Sequence, residues 1–117
     1  MDEDLKPFLP LSPAVLHILA CLAAEPRHGY GIMQEVARQS EGQYRLGPGT
    51  LYDNLQKLMN QGLVEEAPQP PANDDPRRRY YCLTSLGRRV LEADLARLRR
   101  VVREANHHLR HPSPRRA

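Results

Sequence analysis

Three successive arginines, Arg77, Arg78 and Arg79, and a cluster of hydroxyl, amide and amine side chains, Thr50, Tyr52, Asn54, Gln56 and Lys57, are the residues of this chain best equipped for chemistry. That chemistry is hydrogen bonding to phosphates and base edges. Adjacent guanidinium groups repel one another unless an anion satisfies them, so the arginine run points to phosphate. The polar cluster taken alone is what any solvated helix face looks like, and its weight comes from the elements around it. Other chemistries lack their parts. No nucleophile stands with a plausible base, and there is no glycine-rich phosphate loop or pair of carboxylates in a cleft-forming context, so an enzyme is not expected. His107 and His111 lie one helical turn apart, a spacing that can hold a metal ion, but two imidazoles are an incomplete set. Solvent-facing histidines are the preferred reading, and neither a metal nor a cofactor is assigned.

The polar cluster sits on a helix whose two ends are marked between Gly47 and Gly62. Pro48 suits the first turn, where its missing N–H costs nothing, and Gly62 suits the left-handed residue that closes a helix. Leu51, Leu55, Leu58 and Met59 form its apolar stripe, which leaves the opposite face free. Upstream, Ser12-Pro13 starts a helix in which Val15, Leu16, Ile18, Leu19, Leu22 and Ala23 recur at helical spacing until Glu25-Pro26. It is apolar over more than one face, and a second subunit is the simplest cover. A second helix from Gly29 to Ser40 buries Ile32, Met33, Val36 and Ala37, and the short extended link Gln43 to Leu46 joins it to the helix at Pro48. The two form a helix-turn-helix-like pair. Residues 1–10, with acidic side chains, Pro7, Phe8 and Pro10, fit an extended arm.

After Gly62, the runs Leu63-Val64-Glu65-Glu66 and Tyr80-Tyr81-Cys82-Leu83-Thr84 have strand composition and are separated by a stretch dense in Pro, Asn and Asp. They read as a hairpin whose long tip ends in the three arginines. Thr84 then caps a last helix in which Leu91, Leu95, Leu98, Val102, Ala105 and Leu109 alternate spacings of four and three. A seam that narrow suits pairing with another helix. His111-Pro112 stops it, and Arg115 to Ala117 is a frayed tail. The expected fold is mainly α with a small β-hairpin: an arm and winged helix-turn-helix over residues 1–84, then a C-terminal dimerisation helix and tail over 85–117.

With 117 residues, 40% of them hydrophobic and only 5% aromatic, the chain supports one modest core of Leu, Val, Ile and Ala. Cys21 and Cys82 fall in apolar patterns far from any ligand spacing and read as buried free thiols of a reducing compartment. No apolar run can span a bilayer and the acidic start is unlike a signal peptide, so the expected location is cytoplasmic and no membrane partner is expected. The net charge of +3 hides an asymmetry: residues 1–66 carry five Lys or Arg against nine Asp or Glu, and residues 67–117 carry twelve against five.

Several pieces in order resemble the PadR family of bacterial transcriptional regulators, and in length its small subfamily with one C-terminal helix. They are His28-Gly29-Tyr30-Gly31-Ile32, Gly49-Thr50-Leu51-Tyr52 with Leu55, Leu58, Gly62, Leu63 and Val64, and Tyr81-Cys82-Leu83-Thr84 with Gly87-Arg88, spread over about residues 11–105. The resemblance implies a homodimeric repressor that binds double-stranded DNA at an inverted repeat. Its third helix would enter the major groove, with Thr50, Tyr52, Asn54 and Lys57 as contacts and Arg77, Arg78 and Arg79 as wing contacts. Leu91, Leu95, Leu98, Val102, Ala105 and Leu109 would form the dimer. Asp53 departs from the family, which commonly has Pro or a basic residue there, and Met59 stands where Glu is common. The family also implies a small aromatic or apolar effector, for which Phe8, Val15, His17, Leu95 and Arg99 are the groove candidates; the missing Trp argues against a flat aromatic drug sandwich. Tyr30 is expected to serve the core. The alternative from another class is a winged-helix module that binds protein without sequence-specific DNA binding.

Overall fold

Ser12 opens the first regular helix because its hydroxyl accepts the Val15 amide at 3.2 Å while Pro13 fills the first turn. In the computed structural model, which describes residues 4–71 and 75–114, that helix is α1, Pro13–Leu22. It is followed by β1 (Arg27–His28), α2 (Gly29–Gln39), α3 (Pro48–Asn60), β2 (Val64–Ala67), β3 (Tyr80–Leu83) and α4 (Ser85–Arg110). The acidic start, the Asn73-Asp74 part of the hairpin tip and the tail after Pro114 lie outside the described residues.

Two expectations change. Residues 4–11 are not simply an extended arm, for a single 3-10 turn at Lys6–Phe8 lays Leu5, Phe8, Leu9 and Leu11 against the core. The expected hairpin is present as β2 and β3, but a third strand joins it: the sheet order is β1-β3-β2, with Arg27 opposite Tyr81 and His28 opposite Tyr80 on one side, and Val64 opposite Leu83 on the other. A strand of two residues has no alternation to detect, which is why it escapes a periodicity search.

The core joins the four α-helices to β2 and β3. Ile18, Leu19 and Leu22 of α1, Ile32 and Val36 of α2, and Leu51, Leu55 and Leu58 of α3 are buried with Val64, Tyr81 and Val90. Gly62 takes φ +78° and closes α3 in the left-handed conformation expected of it. Burial pushes the Cys21 thiol up to about 12, which leaves it protonated and inert. Cys82 is half-buried rather than buried.

Helix α4 has two halves. Its first turns belong to the domain, with Gly87, Val90, Leu91 and Asp94 buried. The Asp94 side chain is fully enclosed and accepts from Arg97 Nε at 2.7 Å. From Arg99 onward every described residue is exposed. At 1.5 Å per residue the whole helix runs about 39 Å, well beyond the body it starts from.

Gly87 sets the approach of α4, since a Cβ at that position would collide with the Leu63 carbonyl oxygen. Backbone cannot yield as a side-chain tip can. Gly87→Ala should therefore lower the unfolding free energy by about 1–3 kcal/mol, read by chemical denaturation.

Candidate nucleic-acid interface

The apolar stripe of α3 turns inward and so dictates what faces out. Leu51, Leu55 and Leu58 are buried, and Thr50, Tyr52, Asp53, Gln56 and Lys57 are exposed. Asn54 is half-exposed, and its Nδ2 donates to the Thr50 carbonyl at 2.8 Å, leaving Oδ1 and one amide hydrogen for an outside partner. Asp53 shares the exposed face, so the helix itself carries one acid and one base there.

The wing is held by local hydrogen bonds. Gln69 Nε2 donates to the carbonyls of Pro76 at 2.9 Å and Arg78 at 2.8 Å, while Asp75 Oδ1 accepts from the Arg77 backbone N–H at 3.0 Å and from Arg77 Nε at 3.3 Å. All three arginines are exposed, as a phosphate contact requires. Their mutual repulsion does not depend on an outside anion alone, however: Asp75 faces Arg77, and Glu66 lies 3.6 Å from Arg79. The backbone N–H of Arg77, its desolvation-opposed side-chain bond and nearby Arg78 together hold the Asp75 carboxyl below its ordinary range. It is ionised at neutral pH.

Between the wing and the helices lies an open cleft of about 340 Å³, lined by the arginines, Asp75, Tyr81, Tyr52 and the His28-Gly29-Tyr30 turn. Tyr30 is 61% exposed on this rim, which corrects its expected core role; the core side of α2 is filled by Ile32 and Val36 instead. The Tyr52 hydroxyl lies so close over Gly29 that any Cβ there would collide with it. A side chain at Gly29 would therefore displace the Tyr52 ring from its place on the cleft rim. His28 caps α2, its Nδ1 accepting the Gly31 N–H at 3.1 Å, and its ring meets Tyr80 edge-on at 5.3 Å. The cap, the short strand and the counter-charges Asp75 and Glu66 were not singled out from sequence. Asp75 two residues before Arg77 is an Asx-turn spacing that a closer reading would have caught.

On α4, Leu91 lies in the domain core, whereas Leu95, Val102, Ala105 and Leu109 are exposed, Leu109 by 79%, and Leu98 is half-buried. Leu95, Leu98, Arg99, Val102 and Arg103 line a shallow apolar depression. Of the five groove candidates only Leu95 and Arg99 are there. Phe8 and Val15 are half-buried against the core, and His17 stacks on Tyr44 at 4.8 Å and is bound by Gln39 Nε2 at 3.1 Å. The His107 and His111 rings lie 4.7 Å apart, and among the described residues no group of three or more His, Cys, Asp or Glu is arranged to hold a metal.

A winged helix with an exposed recognition-type helix and a basic wing is the architecture of a transcriptional regulator, and the comparisons agree. The model of the PadR-like family of transcriptional regulators matches residues 18–93, and the chain belongs to that family. It is 37% identical over 89 residues to the transcriptional regulator Rv3488 of Mycobacterium tuberculosis, covering 76% of this chain and 78% of that protein. It is 38% identical over 81 residues to an uncharacterised 37.1 kDa protein of a Streptomyces fradiae transposon, where the match covers 69% of this chain and only 21% of the relative. Among solved structures, a PadR family transcription regulator from Clostridium difficile superposes with a TM-score of 0.70 at 23% identity, covering 84% of this chain and 99% of that one, which shows the shared fold. No helix among the described residues is long and apolar enough to cross a membrane.

His28 titrates below its ordinary value of 6.5, first because of burial and then because of Arg78. A base whose folded value is depressed binds fewer protons folded than unfolded, so its contribution to stability is complete above the unfolded value and is lost as pH falls through it toward the folded value. In an NMR pH titration, Arg78→Gln should move the His28 midpoint upward, and only part of the way because burial remains.

Proposed function

We propose that this chain works as a homodimeric repressor that binds an inverted-repeat operator in double-stranded DNA, with α3 reading bases and the wing gripping the flanking backbone. The observation that carries this reading is that Tyr52, on the exposed polar face of α3, lines one cleft with Arg77, Arg78 and Arg79. Thr50, Tyr52 and Asn54 supply the hydrogen-bonding groups for the major groove, and Lys57 with the arginines supplies charge to phosphates. Binding rather than catalysis is the activity proposed, and the two free thiols fit the cytoplasm.

The dimer reading rests on α4. Leu95, Leu98, Val102, Ala105 and Leu109 form an apolar stripe on a helix half that is exposed from residue 99 onward, and a second α4 is the element that matches its heptad spacing. Leu91 begins the seam from inside the domain and would fix where the pairing starts. A two-fold dimer presents two copies of α3 and so reads two symmetry-related half-sites. An apolar or aromatic effector is proposed for the depression at Leu95, Leu98 and Val102, with Arg99 as the anchor for an acidic group. Such a molecule can regulate only by favouring one dimer geometry over the other.

Selection of bound duplexes from a random pool should return an inverted repeat, and Asn54→Ala should lose about 1–3 kcal/mol of discrimination at the position that Asn54 contacts. A pool with no enrichment and no binding at low salt would instead leave a protein-binding module working through α4. Leu98→Glu places a charge in the middle of the seam and should convert the dimer to a monomer in sedimentation. A wild-type protein that sediments as a folded monomer at micromolar concentration would remove the dimer from the proposal.

A further inference from the structure

The wing cleft holds one acid among its lining residues, Asp75, opposite three arginines and the hydroxyls of Tyr30, Tyr52 and Tyr81. The contacts of Asp75 have a particular form. One carboxylate oxygen receives both a backbone N–H and a guanidinium Nε from the same residue, Arg77, which is the donor set that a phosphate oxygen of a nucleic-acid backbone would use. Resting on the DNA reading above, we propose that Asp75 is an internal stand-in for a backbone phosphate: it holds Arg77 at the mouth of the cleft in the free protein and is replaced there by a phosphate when duplex is bound.

Charge and geometry support the exchange. Arg77 is 91% exposed and Asp75 about one-third exposed, so neither partner is buried by the pair and the bond can be given up without opening the core. An exposed pair of this kind is weak, so a phosphate flanked by Arg77, Arg78 and the cleft hydroxyls competes with it effectively. Asp75 also stays ionised at neutral pH, so it competes with the phosphate for Arg77 at full charge. Each wing therefore contributes less than its three arginines suggest. The consequence is a restraint on sequence-independent binding, which is carried by phosphate contacts, while base readout by α3 is untouched.

Asp75→Asn tests this directly, because the amide keeps an oxygen for the Arg77 N–H and removes only the charge. Asp75→Ser, which also supports such a turn, serves as the second variant, and thermal melting checks that each remains folded. The probe is a random-sequence duplex titrated over a salt series. Asp75→Asn should bind severalfold more tightly at moderate salt, with the slope of log K against log salt steeper by about 0.9 per wing. Arg77→Ala should weaken binding and flatten the slope. In the Arg77→Ala background the Asp75→Asn gain should vanish, since the exchange runs through that arginine.

The outcomes separate two failures. If Arg77→Ala weakens binding but Asp75→Asn changes nothing, or if the gain persists without Arg77, the phosphate stand-in is wrong and the wing contact stands. If neither substitution alters affinity or slope, the wing does not face DNA, and the proposal falls together with that part of the proposed function.

Discussion

One threonine ties together the three elements on which recognition depends. Thr84 Oγ1 donates to the Gly62 carbonyl at 2.6 Å, its N–H donates to the Leu63 carbonyl at 3.1 Å, and its hydroxyl oxygen accepts the Gly87 N–H at 2.9 Å. The end of α3, the root of the wing and the start of α4 are thereby held at one point. Gly87 completes the joint by letting α4 lie directly on the Leu63 peptide. In the dimer proposed above, the angle between α3 and α4 would set where the two copies of α3 stand, so a cap that elsewhere only stabilises a helix end would here also fix that spacing.

The electrostatics of the wing follow a similar economy. Residues 67–117 are strongly basic, yet two of the wing arginines meet carboxylates of the wing itself, Arg77 with Asp75 in the same loop and Arg79 with Glu66 of β2. Exposed pairs of this sort add little to stability. Their effect is on the field that an approaching polyanion meets, which is lower than a count of arginines implies. Tyr30 and Tyr52 frame the same cleft with neutral donors, whose capacity to hydrogen-bond is not screened by salt as the charges are.

Helix α4 serves two environments in sequence. Val90, Leu91 and Asp94 face the domain, and the stripe from Leu95 to Leu109 faces outward. The buried Asp94 is bonded to Arg97 at the boundary between them, where a hydrophobic residue would have been expected. A buried carboxylate is costly without a partner, and Arg97 one turn along the same helix supplies it.

Read by itself, the sequence determined the helices, the caps at Ser12 and Thr84, the closing Gly62 and the face of α3 that looks outward. These are local properties, set by periodicity within a dozen residues and by backbone preferences of single residues. The placement of Thr50, Tyr52 and Lys57 on the exposed face followed from the burial of Leu51, Leu55 and Leu58. What only the tertiary structure decided involves partners far apart in the chain. β1 exists because β3 offers Arg27 and His28 an edge to pair with, Tyr30 is exposed because Ile32 and Val36 already fill the core, and Leu5, Phe8, Leu9 and Leu11 fold back onto a core built from elements far along the chain. Arg79 meets Glu66 because the register of β2 and β3 brings residues thirteen apart in sequence side by side, a neighbourhood that no local pattern encodes.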